Sequence, residues 1–333
     1  MSDLMLKKQR IVEENFDTIV DSEFAKDVVY GLSQPQKRLS SKYFYNDAGS
    51  QLFDLITEQP EYYLTRAETD IIQKYGSQFF TCLEGTPFNL FELGCGNGDK
   101  TFNLIENMLS AGQHFSFYPM DISKVAIDGL VKNLHQSFPL LNVQGQLGDY
   151  HQFLAQINTL GKQQQNVVLF LGSNIGNYTP AQAAELLGDL KKGLNSGDLL
   201  LIGMDLKKDF DRMTAAYNDK NKVTEKFNLN LLSRMNEELG ANFDVNKFNH
   251  YEIYNPLDNA MQSFLVAIEK QSISLSTINL DIEFDAFETL FVESSHKYSF
   301  RDIEILAHKS GFEVVESYTD DKQDFVDSLW RRL

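Results

Sequence analysis

Cysteine is nearly absent: Cys82 and Cys95 are the only two in 333 residues. Two thiols can build neither a disulfide framework nor a cysteine-rich metal site. The six histidines show no ligand spacing, so no metal is expected. No apolar run reaches the ~18 residues of a membrane-spanning helix. The opening segment, MSDLMLKKQRIVEENF, lacks the apolar core of a secretory signal, and a cytoplasmic protein is expected. Positive charge is in short supply, with 30 Lys and Arg against 47 Asp and Glu and a formal net charge of -17. Such a surface repels phosphate backbones and anionic lipids. The expected partner is a small molecule, with no nucleic acid and no membrane involved, and the chain is expected to be a monomer. What remains is an ordinary globular composition, 42% hydrophobic, with enough apolar mass for a sizeable core.

Residues 1–85 read as helices and loops. Phe24, Val28, Val29 and Leu32 mark one apolar helix face. Ser33 to Ser41 is polar and contains Pro35, so it reads as a loop. Thr65 with Glu68 has the spacing of a capping box and predicts a helix opening there. From residue 88 the pattern changes. Phe88–Leu93, Phe115–Met120, a weaker Asn142–Leu147, Val167–Leu171 and Leu199–Met204 are short apolar runs separated by helix-period stretches. One of those helices is entered through Thr179-Pro180, a cap residue followed by proline at the first helical position. Apolar strands alternating with amphipathic helices predict a doubly wound α/β fold with a parallel sheet covered on both faces.

After Asp205 the alternation stops. Residues 206–248 read as helical and polar. His250–Tyr254 and Met261–Ile268 flank Pro256-Leu257-Asp258-Asn259 as a hairpin, and Phe291–Glu293 reads as a further strand. Ser299 caps a last helix stopped by Gly311, followed by a strand over Phe312–Ser317. The expected division is 1–85, an N-terminal helical part of a substrate domain; 86–205, the nucleotide-binding core; 206–298, an inserted substrate-binding part; and 299–333, a helix and strand completing the core.

The first strand runs into Glu92-Leu93-Gly94-Cys95-Gly96-Asn97-Gly98. Asp99 breaks both the dinucleotide fingerprint and the mononucleotide P-loop, leaving E-x-G-x-G-x-G. That string resembles motif I of class I S-adenosylmethionine (SAM) methyltransferases, although a plain glycine-rich turn would also produce it. Asp121 ends the second strand, where dinucleotide folds place an acid on the ribose hydroxyls. A helix N-cap is the plainer role for Asp121, but Ser123 is better placed for that. Gly148-Asp149-Tyr150 follows the third strand, offering an acceptor and a stacking ring for adenine.

The chain as a whole resembles a narrower family, the histidine Nα-methyltransferases of ergothioneine biosynthesis. The residues that carry it are Tyr43-Phe44-Tyr45 and Pro60-Glu61-Tyr62-Tyr63 near the start, then Phe170-Leu171-Gly172-Ser173 with Ile175-Gly176-Asn177. Asp205-Leu206 with Lys208-Asp209, Ala216-Tyr217-Asn218-Asp219, and Glu293-Ser294-Ser295 with Lys297 complete it. The resemblance implies trimethylation of the histidine α-amine to hercynine, with SAM as methyl donor. By position it implies that Gly94, Lys100, Asp121, Asp149 and Tyr150 contact SAM, Lys100 pairing with the methionine carboxylate. On its own, Lys100 reads as a solvated helix lysine. It implies that Tyr62, Asn177, Tyr217, Glu293, Ser294 and Ser295 bind histidine. Glu293 would accept from an imidazole N–H, Ser295 would serve the other ring nitrogen, and Asn177 and Tyr217 would offer donors to the carboxylate. No residue of that set is an obvious acid or base for the amine. The sequence departs from the family at Ser263, near where its best-known members carry a methionine, and at Tyr150, which replaces a phenylalanine. Methylation of another aromatic amino acid or amine, or a silent SAM-binding module, are the alternatives.

Overall fold

The computed structural model describes residues 22–83, 85–148, 150–160 and 164–333. The segment read above for a secretory signal lies outside them. The chain forms two compact units, residues 1–62 with 209–295 and residues 63–208 with 296–333. The division falls after residue 62 and not at the expected 85, so residues 63–83 belong with the second unit.

The chain begins in the first unit. Helix α1 (Glu23–Leu32) is capped by the Ser22 side chain and buries Phe24, Val28, Val29 and Leu32, the expected face. Helix α2 (Asp47–Thr57) is capped by Asn46. The chain then enters the second unit with α3 (Tyr63–Tyr75). Thr65 and Glu68 are no capping box, since the helix is already under way at Tyr63 and Glu68 is fully buried.

Alternating strands and helices follow: β1 (Phe88–Leu93), α4 (Asp99–Ser110), β2 (Phe115–Asp121) and α5 (Lys124–Ser137). The weak third strand is two short pieces, β3 (Asn142–Val143) and β4 (Gln146–Leu147), each paired with β2. Then come α6 (Tyr150–Leu160), β5 (Gln165–Phe170), α7 (Pro180–Gly193) and β6 (Leu199–Asp205). Helix α7 carries the capping box of Thr179 and Gln182 with Pro180 at its start.

The chain returns to the first unit with α8 (Phe210–Tyr217), α9 (Val223–Leu239), β7 (Phe248–Asn255) and β8 (Ala260–Ala267). Strands β9 (Gln271–Leu275) and β10 (Leu280–Phe284) pair with each other, and β11 (Thr289–His296) joins β8 and β7 in the order β11-β8-β7. Buried Phe44, Phe227, Leu231, Leu265 and Phe284 share this unit's core.

The second unit closes with α10 (Phe300–Ser310), capped by Ser299 and ended by Gly311, then β12 (Phe312–Thr319) and β13 (Phe325–Arg332). Its sheet runs β12-β13-β6-β5-β1-β2-β3. The strands from β2 to β6 are parallel, and β13 inserts antiparallel between β6 and β12. The parallel sheet is as expected, but β13 is an addition, because buried Asp327 and Ser328 interrupt its apolar run.

Asp205, at the carboxyl end of β6, is fully buried. Lys297 Nζ lies 2.8 Å from its Oδ2, and Lys208 pairs with Oδ1. The Tyr63 hydroxyl donates to the same carboxylate at 2.9 Å. Backbone bonds from Tyr298 N–H to Asp205 O and from Lys207 N–H to Tyr298 O hold the Lys297 segment beside the strand end. Burial pushes the Asp205 carboxyl up, but the two ammonium groups outweigh it and hold it below its ordinary value. Burial pulls the Lys208 ammonium down, and Asp205 restores only part of that.

Asp205→Ala removes the buried carboxylate with which Lys297 and Lys208 both pair and should cost about 3–5 kcal/mol. In the wild type this contribution is present above the ordinary carboxylate value of ~3.9 and is lost as pH falls through the lower folded value. Urea unfolding midpoints of both proteins at neutral pH check this, and equal midpoints would contradict it.

Candidate functional site

In the second unit, the turn after β1 is built from glycines. Gly94, Gly96 and Gly98 have φ of 74°, 54° and 78°, a region costly for residues with a Cβ. A Cβ on Gly98 would come within 2.4 Å of Leu130 on α5, so this glycine permits close packing. A Cβ on Gly96 would meet nothing within 4 Å, so that backbone faces open space in which a ligand can lie. Gly98 offers no side-chain cap to α4, and the first N–H of the helix, that of Asp99, donates to Asn97 Oδ1 at 3.2 Å.

Asp121 stands beside this turn at the end of β2. Its Oδ2 accepts from Gly96 N–H at 2.9 Å and its Oδ1 from Ser123 N–H at 2.8 Å. Each oxygen keeps a second lone pair, so the carboxylate is oriented by the backbone and still able to accept from hydroxyls. Ser123 caps α5, as its position suggested. Lys100, in the first turn of α4, is not a solvated lysine: its ammonium pairs with buried Glu68 of α3. Asp149 lies outside the described residues, and Tyr150 opens α6. The residues present fit a SAM molecule: open glycine backbone, a ribose acceptor, and a cation at a helix start.

Beneath the turn, Glu92 is buried and accepts from the Thr101 hydroxyl. Its other oxygen has no donor among the described residues. Burial pushes this carboxyl up to about 7, against the pull of Thr101 and Lys100.

In the first unit, Tyr217 ends α8, and its hydroxyl donates to Ser295 Oγ at 2.7 Å. The neighbouring turn is fixed by Asp219, which accepts from Val223 N–H and Thr224 N–H at 2.9 and 2.7 Å. Glu293, Ser294 and Ser295 follow one another on β11. Ser263, on the central strand β8, is 1% exposed. Its hydroxyl donates to Glu252 Oε2 at 2.5 Å and lies 3.3 Å from Glu293 Oε2. The largely buried His250 side chain places Nε2 3.6 Å from Glu252 Oε2. Tyr62 packs edge-on against Phe53, with ring centroids 6.2 Å apart.

The structure therefore gathers Tyr62, Tyr217, Glu293, Ser294 and Ser295 in one unit. Asn177 belongs to the other, exposed at the end of the turn Asn174–Asn177. That turn is entered through Ser173 at φ 58°, whose Oγ accepts from Asp205 N–H at 3.0 Å. Glu252 and His250 were missed. The hairpin register pairs Glu252 with Ser263 once the Pro256–Asn259 turn is placed, so the signal was available. Among the described residues no group of three His, Cys, Asp or Glu could hold a metal, and no helix is long and apolar enough to cross a membrane.

Residues 24–332 match the family described as "Histidine-specific methyltransferase, SAM-dependent". Two similar proteins are named histidine N-alpha-methyltransferase. That of Mycobacterium tuberculosis is 33% identical, covering 91% of this chain and 93% of its own length. That of Mycolicibacterium smegmatis is 34% identical with the same coverage, 91% and 93%. Ergothioneine biosynthesis protein 1 of Schizosaccharomyces pombe is 28% identical over 88% of this chain and 39% of its own length.

Glu92 keeps its proton in the folded chain up to about 7, yet releases it near ~4.3 when unfolded. Stability should therefore fall as pH rises between those values and stay reduced above them. Glu92→Gln cannot ionise and should lack that slope. Its melting temperature should gain on the wild type from pH 5 to pH 8, and parallel profiles would contradict this.

Proposed function

The chain belongs to the histidine-specific, SAM-dependent methyltransferases, and on that premise we propose that it transfers methyl groups from SAM to the α-amine of L-histidine. SAM supplies a methyl group already activated by its sulfonium. The protein's contribution is to hold a neutral amine in line with it and to exclude water. On the SAM side, Gly94 and its neighbours present bare backbone, Asp121 accepts from the ribose hydroxyls, and Lys100 meets the amino-acid carboxylate. Asp149 and Tyr150 serve adenine.

The observation that carries the histidine reading is the polar ladder on β11 and β8. Glu293 accepts from an imidazole N–H. Tyr217 has a single proton, which goes to Ser295 Oγ. Ser295 serves the other ring nitrogen, and Tyr217, whose hydroxyl donates to Ser295 Oγ, supports it there. Asn177 then has the larger share of the substrate carboxylate, and Tyr62 flanks the ring. Ser263 and Glu252 keep the surroundings of Glu293 polar. That favours a hydrogen-bonding ring over a phenyl side chain. Transfer to the same nitrogen is repeated until the betaine forms, each proton leaving through water. The protein works on this free amino acid as a cytoplasmic monomer.

Glu293→Ala removes one charge-assisted hydrogen bond, worth ~1.5–3 kcal/mol, and should lower kcat/KM for histidine about tenfold or more. The preference for histidine over phenylalanine should narrow, because a phenyl ring offers Glu293 no donor. SAM affinity should be unchanged. The check is kcat/KM for both amino acids in both proteins. A variant with wild-type efficiency and selectivity would show that Glu293 does not read the imidazole.

A further inference from the structure

The second unit holds a carboxylate pair that the reaction above does not use. Glu68 on α3 and Asp327 on β13 are both fully buried. Both oxygens of Glu68 have donors. Oε1 accepts from Gly172 N–H at 2.7 Å, and Oε2 takes the Lys100 ammonium. Asp327 is the opposite case: neither of its oxygens meets a donor among the described residues.

The two carboxylates meet over Gly203, which lies across the ladder from Asp327 on β6. A Cβ there would fall 2.3 Å from Glu68 Oε1 and 3.2 Å from Asp327 Oδ1. Gly203 is not among the positive-φ glycines, so it is needed for space and not for a turn. A mid-strand glycine therefore lets a helix carboxylate reach a strand carboxylate.

Two ionised carboxylates cannot share a dry site, and a buried acceptor without a donor is costly. One proton resolves both problems. Both Glu68 oxygens already accept from donors, Lys100 and the Gly172 amide, so the proton belongs on Asp327. We infer that Asp327 stands as a neutral acid donating a hydrogen bond to Glu68, and that this third donor fixes Glu68 where it holds Lys100 ready for the carboxylate end of SAM. Asp327 is thus a positioning residue for cofactor binding, and the inference rests on the reading of Lys100 given above.

The charge environment agrees. Burial, then the Glu68 charge, raise the Asp327 carboxyl well above its ordinary value, with Lys100 opposing. The titratable groups bearing on the pair are Lys100 on α4, Glu92 on β1, and Tyr318, which stands opposite Asp327 on β12. Strand β6 contributes only Gly203 at this point. As pH rises and Asp327 ionises, it repels Glu68, and the Lys100 position is lost.

Calorimetry with S-adenosylhomocysteine, which keeps the amino-acid carboxylate, tests this in the full chain. Asp327→Asn keeps a donor that cannot ionise. It should bind at neutral pH with nearly wild-type affinity and lose less affinity than the wild type as pH is raised. Asp327→Ala removes the donor and should bind about tenfold more weakly, the effect of one hydrogen bond to a charged group. An Asn variant that folds as the wild type does but binds as poorly as the Ala variant would overturn the inference. Should Asp327→Ala fail to fold, infrared spectroscopy supplies the second reading. A protonated-carboxyl stretch present in the wild type and missing in Asp327→Asn supports the neutral acid, and its absence from the wild type refutes it. Lys100→Met separates the two readings: unchanged affinity there means that Lys100 does not meet the cofactor carboxylate, whatever the state of Asp327.

Discussion

Asp205 ends its strand with no access to solvent, and its charge dictates what can surround it. A lone buried carboxylate would give up its charge, so two ammonium groups and a phenol are brought to it. Meeting that demand draws Tyr63 from the start of α3, Lys208 from the end of the β6 segment and Lys297 from the far side of the inserted chain into one cluster. The Asp205 amide, in turn, holds Ser173 and with it the turn bearing Asn177. Several residues that carry the family resemblance, Asp205, Lys208 and Lys297 among them, therefore belong to this buried cluster.

The same constraint recurs at three other buried carboxylates, with a different solution each time. Glu68 is met by a lysine and an amide, and Glu92, met by a hydroxyl, is pushed by burial toward its neutral form. Glu252 is met by the Ser263 hydroxyl, which also lies beside Glu293. Each of these buried acids helps fix the position of a neighbour. Orientation is what a methyl transfer asks of a protein, since the leaving group is already activated.

Much of the fold was legible because the second unit obeys a simple rule. Parallel strands buried on both faces read as apolar runs, and the caps Thr179-Pro180, Ser299 and Gly311 state where helices begin and end. What failed was local pattern overridden by tertiary demand. Thr65 and Glu68 have the spacing of a capping box, but Glu68 is committed to Lys100 and Gly172. Strand β13 carries Asp327 and Ser328 in its interior, so its pattern does not read as a buried strand. The unit boundary at residue 62 was invisible, because α3 differs from α1 and α2 only in what it packs on. For the site, the glycine turn and Asp121 were readable from spacing. The partners that fix the roles of Lys100, Tyr217 and Glu293 come from distant segments and needed the fold.

The central claim is that this chain places methyl groups on the α-nitrogen of histidine. Incubation of the purified protein with SAM and each of the twenty amino acids in turn, with products weighed and fragmented by mass spectrometry, tests it most directly. Histidine should yield products carrying one, two and finally three methyl groups on the α-nitrogen, with the other amino acids left nearly untouched. Methylation of a ring nitrogen, or a product formed faster from another amino acid, would contradict it.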